Sequence, residues 1–161
     1  MRLSEAIEGF AVSLRANRRS PATIAAYRRD LDALVRHVGD CETGDLTRQA
    51  VHGFVASDAV QLRIDGQPRA DLSVNRLKAA LRSFGGWLVD AGLRDDDPCG
   101  GIDIRRTTRR SPSWLADPER KRMSRELASR KGAAAARDRV MLQVLLGTGI
   151  RLAELVGLDV G

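Results

Sequence analysis

Apolar residues recur every three or four positions through most of this chain. In the first segment Leu3, Ile7, Phe10 and Leu14 keep that period, and Glu5 and Glu8 sit in the early turns, where carboxylates complement a helix dipole. A second segment has Ser20 as cap and Pro21 at the first helical position. It carries Ile24, Tyr27, Leu31, Leu34 and Val38 on one face and stops at Gly39. A shorter third runs from about Thr47 to Ala56 on Val51, Phe54 and Val55, weakened by Gly53. The turn-rich stretch SDAVQLRIDGQPRAD then leads to a fourth, starting at Ser73 as N-cap and repeating Val74, Leu77, Leu81, Phe84 and Leu88 up to Gly92. Four amphipathic helices within 92 residues predict a small bundle.

The apolar period then lapses. DDDPCGGIDIRRTTRRSPS mixes acids, prolines, paired glycines and four arginines, and reads as a linker over residues 98–113. A helix follows near Asp117 as N-cap with Pro118 behind it, basic throughout and with only Met123 and Leu127 as inward candidates. Another starts at about Ala133, buries Val140, Val144 and Leu145, and breaks at Gly147 and Gly149. A last short helix holds Arg151, Leu152, Glu154 and Leu155. With no alternating strand pattern, the expectation is an all-α chain of two parts, 1–97 and 114–161, joined by the linker.

Charge placement sharpens the picture. The net charge is +6, and Arg makes up 24 of the 27 basic residues. Residues 1–100 balance 14 basic against 14 acidic side chains, while 101–161 hold 13 against 7. An Arg-rich excess fits a polyanionic partner, although Arg-for-Lys bias also follows genomic base composition. Cys41 and Cys99 form no CxxC, so neither a disulfide framework nor a zinc site is expected. No stretch approaches 18 apolar residues, and the N-terminus has no signal-peptide pattern, so the expected setting is the cytoplasm.

The stretch GTGIRLAELVGLDVG, 147–161, holds an incomplete glycine loop, with Leu152 where GxGxxG needs its last glycine. Its plainer use is to present Arg151 at a helix start, beside unpaired backbone N–H groups that favour phosphate, with Glu154 three residues on. Alone, the same two residues describe an ordinary structural ion pair.

Three separated motifs together resemble the tyrosine recombinase, or phage integrase, family. SPATIAAYRRDL (20–31) is similar to the family's S-x-x-T-x-x-x-Y-x-x-D-L, in the second helix of its core-binding domain. LSVNRLKAALRSFGGWLVDAGLRDDDP (72–98) is similar to the fourth helix and the Asp-Pro that ends that domain. AARDRVMLQVLLGTGIRLAELVGLDV (135–160) is similar to the opening of the catalytic domain, where T-G-x-R-x-x-E-L surrounds the first catalytic arginine.

The resemblance implies a four-helix, SAM-like core-binding domain over 1–97, the Arg-rich linker, and the N-terminal part of a catalytic domain over 114–161. It implies DNA strand exchange without metal or other cofactor: a Tyr hydroxyl attacks the scissile phosphate while two Arg, a Lys and His or Trp residues stabilise the charge that develops. Arg151 matches the first of those arginines, with Glu154 supporting it. The sequence departs from the pattern in having no match for the Lys, the H-x-x-R box or the nucleophilic Tyr, because Tyr27 matches a helix-two position. The expectation is therefore a chain that binds duplex DNA without cutting it.

The resemblance lays helices two and four on the major groove. The candidates are Arg18, Arg19, Ser20, Thr23, Tyr27, Arg28 and Arg29 around helix two, and Ser73, Asn75, Arg76, Lys78 and Arg82 on helix four. Asn75 and Arg76 are the expected base readers. Arg105, Arg106, Arg109 and Arg110 would follow the phosphates. Expected partners are double-stranded DNA and other recombinase subunits, with no membrane and no small-molecule substrate. Two alternatives stay open: catalysis completed in trans, and a module that docks on a complete recombinase and regulates its assembly, which the neutral first hundred residues also fit.

Overall fold

The computed structural model describes residues 1–105 and 114–158 and places them in two compact units, Met1–Thr108 and Arg109–Gly161. The described residues are all-α, with two isolated β-bridges, Arg2 to Glu42 and Leu62 to Pro68.

In the first unit α1 (Leu3–Ala16) is capped by Glu5, whose Oε2 accepts the Arg2 N–H at 2.9 Å. α2 (Pro21–Val38) starts as its sequence directs: the Ser20 hydroxyl accepts the Thr23 N–H at 3.2 Å. It ends at Gly39, whose φ of 84° suits glycine. After a 3₁₀ turn at Thr43–Asp45, α3 (Arg48–Ala56) is capped by Thr47. The expected loop contains one further turn, α4 (Asp58–Gln61), which buries Val60. α5 (Asp71–Asp90) begins two residues before the expected cap. Ser73 lies inside its first turn, with its N–H bonded to Ala70 O at 2.9 Å, because Asp71 already supplies the acidic first-turn residue a helix start favours.

The interior joins Leu3, Ile7, Phe10 and Leu14 of α1 to Leu31 and Leu34 of α2, Val51 and Phe54 of α3, and the Leu77, Leu81, Phe84 and Leu88 stripe of α5. α2 packs against α1, α3 and α5. Phe10 meets Phe84 edge-on at 5.5 Å, and Trp87 closes the cluster at 5.7 Å from Phe10. Burying such side chains is worth about 1.5–3 kcal/mol each. That shared interior holds the nine-residue α3, which is too short to be stable alone.

Residues 98–105, the first half of the expected linker, pack on this unit as a strap. Pro98, Cys99 and Ile102 are buried. Arg48 donates to Asp97 O at 3.3 Å, and the His52 ring lies 3.1 Å from Gly100 O. Gly85 allows the approach, since a Cβ there would lie 2.0 Å from Asp97 Oδ1 and 2.7 Å from Cys99 Cβ. Burial pushes the Cys99 thiol up to about 12, which keeps it protonated and unreactive at neutral pH.

The second unit contains α6 (Asp117–Ser129), α7 (Ala133–Thr148) and α8 (Leu152–Val156). Asp117 is the first helical residue of α6 and not its cap: Ala116 holds that place, and its N–H donates to Glu119 Oε2 at 2.7 Å. α7 continues through Gly147 and stops at Gly149, where φ is 67°. Only Ala135 and Leu155 are buried among the described residues here. Val140, expected inside, is 59% exposed, and Val144 and Leu145 are half-buried. Among the described residues no helix is long and apolar enough to cross a membrane.

Candidate nucleic-acid interface

The turn from α1 into α2 follows from chain geometry. Arg19 N–H bonds to Leu14 O at 3.0 Å and Arg18 N–H to Arg15 O at 2.9 Å, the paired bonds of a helix-ending motif that needs a left-handed residue. That residue is Arg18, at φ 53°, the one non-glycine residue with positive φ among those described. Arg18 and Arg19 are thereby both exposed at the head of α2. Ser20 and Thr23 spend their hydroxyls on the cap and on each other, 2.9 Å apart.

Helical spacing then divides α2. Arg28 faces α1 and pairs with Glu8, away from α5. Tyr27 is half-buried against the core. Ala26 and Asp30 face α5, where they receive Arg76. The Arg76 Nη2 donates to Asp30 Oδ1 at 3.1 Å, Nη1 lies 2.8 Å from Oδ2, and Nη1 also donates to Ala26 O at 3.2 Å. Burial pushes the Asp30 carboxyl above its usual range, and the neighbouring Arg76 offsets part of that rise. Arg76, expected to read bases, therefore bridges the two helices. The sequence marks Asp30 only as the Asp of the D-L pair that closes the helix-two motif, and nothing local gives it Arg76 as a partner.

On α5 the strap occupies two more expected readers. The Asn75 amide donates to Arg105 O at 2.7 Å, and Lys78 Nζ to Asp103 O at 2.9 Å. Ser73 is half-buried. Arg82 is exposed and makes no ion pair among the described residues. The Arg105 side chain is exposed, whereas Arg106, Arg109 and Arg110 lie outside the described residues. The structure thus brings Asn75, Lys78 and Arg105 together and sends Arg28 to another face.

In the second unit Arg151 is the N-cap of α8. Its N–H donates to Glu154 Oε2 at 2.8 Å, its Nη1 lies 3.3 Å from Oε1, and its side chain is 86% exposed. Glu154 thus holds the backbone and the guanidinium of Arg151 together and leaves most of the fork open to an anion.

The family model described as phage integrase, N-terminal SAM-like domain, matches residues 7–92. The chain is 38% identical over 143 residues to the tyrosine recombinase XerC of Salmonella typhi, covering 88% of this chain and 45% of that one. It is 35% identical to the XerC of Yersinia pestis, covering 98% and 50% of the two chains, and 36% identical to that of Erythrobacter litoralis, covering 98% and 49%. The chain spans about half the length of these curated relatives. No solved structure gave a significant match.

Proposed function

Because the chain belongs to the phage integrase, or tyrosine recombinase, family, we propose that its first unit holds duplex DNA at a site of recombination, with α2 and α5 directed to the major groove. The observation that carries this reading is the cationic face that α2 and α5 share within the matched residues 7–92. Arg18 and Arg19 reach for phosphates from the head of α2, and the exposed Arg82 presents donors to base edges, while Asn75 spends its amide on the strap at Arg105 O. Arg76 acts as the brace that keeps the two helices at a fixed spacing. The strap extends the same path through Arg105.

On this reading residues 1–97 form the core-binding domain, 98–113 the crossing, and 114–161 the start of the catalytic domain. Arg151 is then the first catalytic arginine. Its guanidinium stabilises charge on the non-bridging oxygens of an attacked phosphodiester, and Glu154 positions it. Residues 1–161 contain a single tyrosine, Tyr27, packed on the core, so they bind DNA without cleaving it. The partners are duplex DNA and other recombinase subunits, and the place of action is the nucleoid in the cytoplasm.

The test is fluorescence anisotropy with a random duplex and with genomic fragments flanking the gene, across a salt series. Binding with a log–log salt slope of several, and preference for one fragment, is expected. Absence of binding at low salt refutes the reading. It would favour the alternative of a module that docks on a complete recombinase, which the balanced charge of residues 1–100 also fits.

A further inference from the structure

A cleft of about 450 Å³ lies between α2, α4 and the start of α5. Arg29, Arg36, Arg69 and Arg76 line it, with Asp30 and His37. Arg76 is matched by Asp30, so the four arginines and one carboxylate leave three positive charges. Among the described residues Arg29, Arg36 and Arg69 make no ion pair and no side-chain hydrogen bond. Three unpaired guanidinium groups around one cleft repel one another, and an anion placed among them relieves that repulsion.

Their positions are fixed by rigid backbone. Arg29 and Arg36 are seven residues apart on one face of α2, two turns and about 10 Å along the axis. Arg69 stands opposite, two residues before α5. Its N–H donates to Gln61 O at 2.8 Å, beside the Leu62 to Pro68 bridge that closes the preceding turn. The planar fork of each guanidinium matches phosphate oxygens two at a time. Asp30 is 7% exposed and held by Arg76, so the floor of the cleft offers a ligand no free carboxylate to repel it.

We infer that Arg29, Arg36 and Arg69 form a phosphate clamp for the DNA backbone where it passes between α2 and α5. This rests on the DNA-holding reading above and adds the residues that set its register. Arg36 and Arg69 had no sequence signal, because each looks like a solvated surface arginine until the fold puts them on one cleft. Phosphate contacts of this kind fix where a duplex lies and are indifferent to its sequence.

The test compares the full chain with its R29A/R36A/R69A variant and with an R15A control on α1, in duplex binding across a salt series. Each lost phosphate contact lowers the log–log salt slope by about 0.9, so the triple variant is expected to lose about 2.7 while R15A keeps the parent slope. The loss should be uniform between the random and the preferred duplex. Far-UV circular dichroism spectra should coincide, since none of the three side chains makes a hydrogen bond or ion pair within the fold.

If the parent chain binds DNA and the triple variant keeps its slope, the clamp is refuted and the DNA reading stands. If R15A lowers the slope as much per charge as the cleft residues do, general surface charge explains the effect and the clamp is refuted. If the chain binds inorganic pyrophosphate saturably, and the triple substitution abolishes this without changing the DNA slope, the cleft serves a small anion instead. If the parent chain fails to bind duplex at all, the DNA reading itself falls.

Discussion

Arg76 of α5 and Asp30 of α2 form a two-point ion pair, with Nη1 2.8 Å from Oδ2 and Nη2 donating to Oδ1 at 3.1 Å. The partners are unequally solvated: the Asp30 side chain is 9% exposed and that of Arg76 41%. Removing either one therefore has different consequences.

Arg76→Ala leaves a buried carboxylate without its counter-charge and is expected to cost about 3 kcal/mol, the lower end for a broken buried pair. Asp30→Asn leaves an arginine that water can reach and should cost about 1 kcal/mol. The double variant should recover much of the Arg76→Ala loss. The sign with pH follows from burial, which raises the folded-state pKa of Asp30. A carboxyl raised on folding stabilises the fold when protonated, and that stabilisation is lost as pH rises through the folded pKa. Arg76→Ala removes an opposing influence, so its deficit should shrink as pH falls toward 4. Urea melts at pH 7 and pH 4.5 check this, and equal losses for Arg76→Ala and Asp30→Asn at both would refute it.

Asp40 shows the opposite sign. The Ser4 backbone N–H at 2.9 Å and the Ser4 hydroxyl at 2.8 Å hold its carboxyl below the ordinary carboxylate value, with Arg2 adding a smaller pull. That interaction is present above the unfolded pKa and is lost as pH falls through the lowered folded value. Ser4→Ala removes the hydroxyl and keeps the N–H, so an NMR titration of Asp40 in that variant should recover part of the shift. An unchanged pKa would show that the hydroxyl contributes nothing.

How far the sequence reaches can be judged residue by residue. The stripes of α1, α2 and α5 were legible because an apolar period and a cap sit together, as at Ser20 and Pro21. The start of α5 was misplaced because Ser73 is as good a cap in sequence as Asp71 is a first-turn acid, and tertiary packing decides between them. α4 escaped notice because one turn carries no period. The bond partners of Asn75, Lys78 and Arg76 are 25 to 50 residues away, so no local pattern could reveal that each is already engaged. Arg151 and Glu154 were legible because three-residue spacing on a helix start fixes their geometry.

Gly85 is the position on which the strap depends. Gly85→Ala drives a methyl into Asp97 and Cys99, an overpacking that costs about 1–3 kcal/mol, and the strap can relieve it by lifting away. In a Cys41→Ser background, reaction of Cys99 with a thiol reagent should then speed up, about tenfold for each 1.4 kcal/mol of docking lost. Because Asn75 and Lys78 bond to the strap, the same lift frees their side chains, and duplex binding should persist. An unchanged thiol rate would show that α5 shifts instead of the strap.

Arg18 offers a way to separate stability from binding. Its φ of 53° is a conformation that costs a side-chain-bearing residue about 1–2 kcal/mol, which glycine avoids at about 0.5–1 kcal/mol of added unfolded-state entropy. Arg18→Gly keeps the two hydrogen bonds that turn α1 into α2, since both use backbone atoms only. The variant should therefore melt at the parent temperature or slightly above it. If the exposed guanidinium meets phosphate, the same variant should bind duplex DNA more weakly, with a log–log salt slope reduced by about 0.9. Stability held or raised while the slope falls would place Arg18 at the interface as the residue for which the strain is kept. A lower melting temperature would show that the turn needs the arginine side chain, and an unchanged slope would remove Arg18 from the DNA path.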